Sequence, residues 1–339
     1  MGKQAVLLLA HGTPETVEQI PEYLRNVVSG RPVPQAVVEE IQHRYSLIGR
    51  SPLTEITMEQ ARLVEVELNG VREASYASHP SDKNKDVARM GHPAVPVYVG
   101  MRNWRPYIPD VVRRMREDGV EEAAVICLAP QNSRTSVGLY RRAVEAEAQG
   151  LRIDFTEGWA QHPLLAEAFA ERLRPAWAKL SAEVEHPVPV LFTAHSVPRR
   201  TVEAQPDESG PRLWPGRGAD PYADEARRTA ELVAARVPEV PRWHFAFQSQ
   251  GASGGEWIGP TVEETLRGMA DTGVKALILQ PIGFLCDHVE ILFDVDILFR
   301  DYASKIGMRL ERPESLNASP TLAKAIADLA QKGLRRLKA

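Results

Sequence analysis

The chain has 339 residues, of which 43% are hydrophobic and 25% charged, with a formal net charge of −4. This is the profile of a soluble globular protein of one large or two ordinary domains, and it carries no electrostatic footprint for nucleic acid. Only Cys127 and Cys286 occur; they read as reduced thiols of a cytoplasmic protein and are too few for a four-cysteine zinc or iron–sulfur site.

In chain order, an apolar run over 5–10 predicts a buried parallel strand that turns at His11. Six apolar residues are too few for a signal peptide, and nothing approaches the ~20 needed to cross a membrane. Further strands are predicted over 95–99, 123–128, 152–156, 189–193, 244–247, 276–280 and 308–312. Helical periodicity fills 107–117, 137–148, 164–179, 224–236 and 262–270 between them. Stretches 74–94 and 203–221, rich in Pro, Gly and polar residues, read as surface loops.

The halves repeat one another. Val6-Leu7-Leu8-Leu9-Ala10-His11-Gly12-Thr13-Pro14 and Val190-Leu191-Phe192-Thr193-Ala194-His195-Ser196-Val197-Pro198 are both apolar strands ending in Ala-His before a Pro turn. Each half also has a later strand running into Pro, at Leu128-Ala129-Pro130 and Leu279-Gln280-Pro281. The expected fold is α/β: two similar Rossmann-like domains, each a parallel sheet flanked by helices, with a cleft between them. The domains are drawn at 1–150 and 151–318, the boundary falling within 150–159, with a last helix over 319–337 crossing back onto the first.

Ligands bind open α/β sheets at the carboxyl ends of their strands, which makes His195 the leading candidate for chemistry. A helix read from Asp287 would align Asp287, Glu290 and Asp294 at i−3, i and i+4 among apolar residues. Carboxylates so placed resist ionising unless a cation or protons compensate. Asp287 also has a simpler explanation, as an acid in a first helical turn. On the same helix His288 points about 160° from Glu290, so it reads as structural. His11 matches His195 in position; it is either a metal ligand from the other wall or a hydrogen-bonded strand-end residue. Gly12-Thr13-Pro14 and Gly49-Arg50-Ser51-Pro52-Leu53 offer backbone N–H groups for anions, but neither is a nucleotide-binding motif.

Together the segments Phe192 to Pro198, Phe247-Gln248-Ser249, Trp257-Ile258-Gly259-Pro260, Gly283 to Asp296, and Arg44-Tyr45 to Leu53 resemble those of ferrochelatases, in order along nearly the whole chain. The resemblance implies a class II chelatase-like fold and insertion of ferrous iron into a porphyrin. Iron would be a substrate, and no prosthetic group or iron–sulfur cluster is implied. His195 and Glu290 match the pair that handles iron and pyrrole protons, and Asp294 matches an outer carboxylate whose successor is Leu298 here. Ala10 to Pro14 and Leu128-Ala129-Pro130 through Ser136 and Tyr140 look like the branch that uses coproporphyrin III. There His11 replaces a Tyr that ligates the metalloporphyrin iron, and His11, Arg44, Tyr45, Ser51 and Tyr140 match porphyrin-contacting positions. An Arg of that branch is Val28 here. Protoporphyrin IX as substrate, and a non-catalytic tetrapyrrole-binding protein, are the alternatives. The implied partners are porphyrin and iron, for a monomer; peripheral contact with a membrane or a neighbouring haem-pathway enzyme is left open.

Overall fold

Apolar runs of six to eight residues buried on both sides suit only a sheet covered on both faces, and β1 (Lys3–Ala10) shows it: Ala5 to Leu9 are fully buried. The computed structural model describes residues 2–70, 94–203, 219–250 and 255–338. Most of the two stretches read as loops, 74–94 and 203–221, lies outside these residues.

Two four-stranded parallel sheets are present among the described residues. The first holds β1, β2 (Val97–Met101), β3 (Val120–Cys127) and β4 (Arg152–Thr156) in the order β2-β1-β3-β4. The second holds β5 (Val190–His195), β6 (Trp243–Gln248), β7 (Ala276–Pro281) and β8 (Arg309–Glu311) in the order β6-β5-β7-β8. The two orders are the same. In each, the chain leaves the opening strand to one side and later returns to the other. That reversal leaves a crevice at the strand's carboxyl end, the topological switch point. β1 delivers His11 there, and β5 ends in His195. β4 pairs in register with β3, so the first sheet ends at Thr156.

Helices α1 (Ile20–Val27), α2 (Gln35–Ile48) and α3 (Leu53–Asn69) lie between β1 and β2. Then follow α4 (Ile108–Glu117), α5 (Val137–Glu145), α6 (Pro163–Glu183), α7 (Tyr222–Ala234) and α8 (Val262–Asp271), one before each of β3 to β7. α9 (Val289–Leu292), a π-helical turn (Asp294–Phe299) and α10 (Arg300–Lys305) fill the last crossover. Helix α11 (Pro320–Lys338) packs on α3, α6, β3 and β4. Gly333 permits this approach, because a Cβ there would sit 2.9 Å from Asp154 Oδ1 and 3.0 Å from Ala124 Cβ. Arg336 then forks onto Asp154 at 2.8 and 2.6 Å.

The period of two along each strand sorts the core. Val6, Leu8 and Ala10 of β1 share one cluster with Val190, Phe192 and Ala194 of β5, joined through α3, α6, α7 and α11. Leu7 and Leu9 face a second cluster with α4 and α5, and Leu191 a third with α8 and the π-turn. Each such Leu or Phe contributes roughly 1.5–3 kcal/mol by burial, so the shared cluster fixes the two strand ends against one another.

Candidate active site

His195 closes β5, and its neighbours leave it little freedom. Ser196 is fully buried, its N–H donating to Gln248 O at 2.6 Å and its hydroxyl to Ile258 O at 2.7 Å. Tyr222 donates to His195 O at 2.8 Å. Gly283 passes so close that a Cβ would meet Ala194 at 3.1 Å. The ring's Nδ1 contacts Ser196 O, which places a hydrogen on Nδ1 and turns Nε2 to Glu290 Oε1 at 3.3 Å. Burial works against charge on this ring, but the Glu290 carboxylate and the Ser196 carbonyl outweigh it and raise the pKa of His195. Glu290 is also resisted by burial, yet the charge and hydrogen bond of His195, joined by His288, hold it well below the usual carboxylate range. The two form one coupled pair, each favouring the other's charged form.

The acidic segment departs from the sequence expectation. A continuous helix from Asp287 would align three carboxylates; instead His288 is extended, with φ −162° and ψ −177°, and the helix starts at Val289. Asp287 therefore leaves the row. It accepts from Ser315 Oγ at 2.7 Å and Asn317 Nδ2 at 2.9 Å, and lies 3.2 Å from Arg312. The same break corrects the expectation for His288. It does not point away but places Nε2 3.5 Å from Glu290 Oε2, with its ring against Phe284 at 4.5 Å. Asp294 lies behind Glu290, taking a hydrogen bond from Ser249 and lying 3.3 Å from Arg44. Burial, with Glu290's charge, pushes it up to about 6.

His11 reaches the same cavity from the first sheet. Gly12 makes its turn, with φ +80° and only 2.9 Å between a Cβ and Trp104. Tyr23 Oη lies 2.9 Å from His11 Nε2, and Asn103 Nδ2 3.1 Å. Burial, aided by Arg102, lowers His11 to about 3, so the ring is neutral and keeps a lone pair. Tyr140 lines the cavity too, with the Arg102 guanidinium 5.0 Å over its ring.

The cavity holds about 290 Å³, at the lower edge of the ~300–1,000 Å³ usual for small-molecule sites. It brings together His11, Tyr140, His195 and Glu290 of the predicted residues, and adds His288, Tyr23, Arg102 and Tyr222. Three predicted contact residues lie off its walls. Arg44 is paired with Glu40 at 2.9 Å and stacks on Phe293 at 4.9 Å. Tyr45 is buried, its hydroxyl 2.9 Å from Thr13. Ser51 is buried with no hydrogen-bond partner for its hydroxyl among the described residues. Also among the described residues, no three of His, Cys, Asp or Glu converge as a ready metal cage. His195, His288, Glu290 and His11 can offer nitrogen and oxygen donors to a cation that passes through. Of the residues sequence reasoning missed, His288 lay beside Glu290 in plain view but in the wrong phase. Tyr23, Arg102 and Tyr222 carried no local signal.

The ferrochelatase family profile matches residues 3–334. A ferrochelatase of Acidobacterium capsulatum is 58% identical over 339 residues, covering 99% of this chain and 96% of its own. A coproporphyrin III ferrochelatase of Geobacillus sp. is 30% identical, covering 99% and 98%. Among solved structures, SirB from Bacillus subtilis with Fe³⁺ aligns over 97% of this chain and 95% of its own. Its TM-score is 0.51 at 11% identity, a likeness of fold.

Proposed function

This chain belongs to the ferrochelatase family, enzymes that insert iron into a porphyrin, and we propose that its porphyrin is coproporphyrin III and that His195 and Glu290 carry the insertion. The observation behind the residue assignment is the His195–Glu290 contact at the wall of the cavity, 3.3 Å long.

A free porphyrin holds two pyrrole N–H protons that leave as Fe²⁺ enters. The base must sit beside the macrocycle, near the metal, and titrate near neutrality. His195 offers such a base on the cavity wall: Nδ1 is tied to a carbonyl, and Nε2, facing Glu290, is the basic atom. An approaching Fe²⁺ disfavours the proton on the pair and drives it off. What remains is a neutral imidazole nitrogen and a carboxylate, a donor set suited to Fe²⁺. Once the metal passes to the porphyrin, His195 Nε2 takes up one displaced proton and the Glu290 carboxylate relays the other to solvent. His288 sets a second imidazole 3.5 Å from Glu290, a polar contact that remains as His195 changes state. His11, neutral and facing the cavity, would ligate the iron of the product. Both iron and porphyrin are substrates, and the reading calls for no prosthetic group.

Coproporphyrin III carries four propionates, which favour cations and hydroxyls around the macrocycle. Arg102, Ser133, Thr135, Ser136 and Tyr140 on one side of the cavity supply such groups. Among the described residues no helix is long and apolar enough to cross a membrane; the reading places the enzyme in the cytoplasm. The test is the ratio of kcat/KM for iron insertion into coproporphyrin III and protoporphyrin IX. A clear preference for coproporphyrin III is expected; a preference for protoporphyrin IX would reverse the assignment.

A further inference from the structure

The stretch bearing His288, Glu290 and Asp294 does not form one continuous α-helix. It runs from an extended residue through one turn of α9 into a π-helical turn, where Leu298 N–H reaches back to Phe293 O at 2.9 Å. π-turns are rare inside helices and occur frequently at functional sites. Asp beside a helix start ordinarily caps it, yet Asp287 does not.

Both observations lead to Arg312, just past β8. Its guanidinium forks onto Asp296, within the π-turn, at 2.8 and 2.7 Å. Its remaining nitrogen, Nη1, lies 3.2 Å from Asp287 Oδ1 and donates to Pro313 O and Ser315 Oγ, each at 3.2 Å. The Arg312 side chain is 10% exposed, Asp287 17% and Asp296 22%. A second cation, Arg300, lies 3.8 Å from Asp296 from the solvent side. The two carboxylates gripped by Arg312 bracket the stretch, one just before His288 and one just after Asp294.

We propose that Arg312 is a positioning residue for iron insertion: it staples both ends of the stretch and thereby fixes the phase at which His288 and Glu290 face His195. With Asp287 held by Arg312, Ser315 and Asn317, it cannot cap, and the chain stays extended at His288. With Asp296 held, the π-turn keeps its extra residue. Freed from Arg312, the stretch winds into the regular helix its sequence favours, beginning at Asp287. His288 then turns about 160° from Glu290, and Glu290 keeps only His195. The proposal rests on the role assigned above to Glu290.

The test uses purified full-length chain. Arg312→Met keeps length and removes the fork, but takes the nearest cation from two mostly buried carboxylates, which destabilises. The triple variant D287N/R312M/D296N removes those charges as well. Arg312→Lys keeps a charge without the planar fork. Measured for each are thermal midpoint, kcat and KM for zinc or iron insertion, and hydrogen exchange of the 288–298 amides. Expected is a triple variant with a midpoint restored towards wild type but kcat still down about tenfold, at a porphyrin KM changed less than about threefold. Arg312→Lys should fall between, with faster exchange over 288–298. A triple variant with wild-type kcat overturns the proposal, and if it fails to fold, wild-type kcat and exchange in Arg312→Lys do so. Should Glu290→Gln prove fully active, the role of Glu290 fails, while exchange in Arg312→Lys still decides whether Arg312 holds the stretch.

Discussion

Glu290→Gln keeps the size of the side chain and removes its charge. At 3.3 Å and an effective dielectric near 20, two unit charges attract by about 5 kcal/mol. The side chains of His195 and Glu290 are 30% and 33% exposed, so water screens the pair and roughly 1–2 kcal/mol survives. The pH dependence follows from the two shifts. His195 is raised, so its contribution to stability is complete below about pH 6.5, its unfolded value, and fades as pH climbs through the folded one. Glu290 is lowered, so its contribution is complete above about pH 4.3 and fades as pH falls through its folded value. The pair therefore stabilises most between those two pH values. Thermal midpoints of wild type and Glu290→Gln measured from pH 5 to 9 should differ most near pH 5–6, by about 1–3 °C, and converge towards pH 9. Insertion of iron should drop by roughly 10²–10⁴, the usual worth of a positioned acid–base group, while porphyrin fluorescence quenching shows binding retained. A midpoint difference that stays constant with pH, or a rate within threefold of wild type, would refute the reasoning.

Gly283→Ala forces a Cβ to 3.1 Å from Ala194; an overpacking loss of about 1–3 kcal/mol is expected, with lower insertion activity because β5 carries His195, and chemical denaturation with a parallel rate assay checks both. Asp294, raised to about 6, is least comfortable when ionised, so Asp294→Asn should raise the thermal midpoint at pH 7.5 and lose that advantage by pH 4. Its activity should exceed that of Glu290→Gln, since Leu298 offers no further acidic rung. His11→Ala should change the absorption spectrum of bound metalloporphyrin product and hasten its release, with a smaller effect on insertion; an unchanged spectrum would leave His11 a hydrogen-bonded strand-end residue.

What the sequence disclosed follows from how local each signal is. Buried parallel strands announce themselves as apolar runs, and the twin Ala-His endings of β1 and β5 placed both histidines at equivalent switch points before any pairing was known. The error at His288 has a physical source. Helical phase was counted from Asp287, whereas Arg312, Ser315 and Asn317, some 25 to 30 residues further on, hold Asp287 outside the helix. No local pattern encodes that tie. Tyr23 and Asn103 meet His11 by the same kind of long-range placement. Arg44 and Tyr45 read as contact residues from resemblance, but the packing of α2 turns them to Asp294 and Thr13.

In the proposed mechanism His195 Nε2 accepts a proton that leaves the porphyrin as iron enters. Anaerobic insertion of Fe²⁺ into coproporphyrin III by His195→Ala, with circular dichroism and thermal midpoint recorded on the same preparation, tests it most directly. A folded protein that still binds porphyrin and shows no insertion above the uncatalysed rate is expected. Wild-type-like turnover by that variant would contradict it.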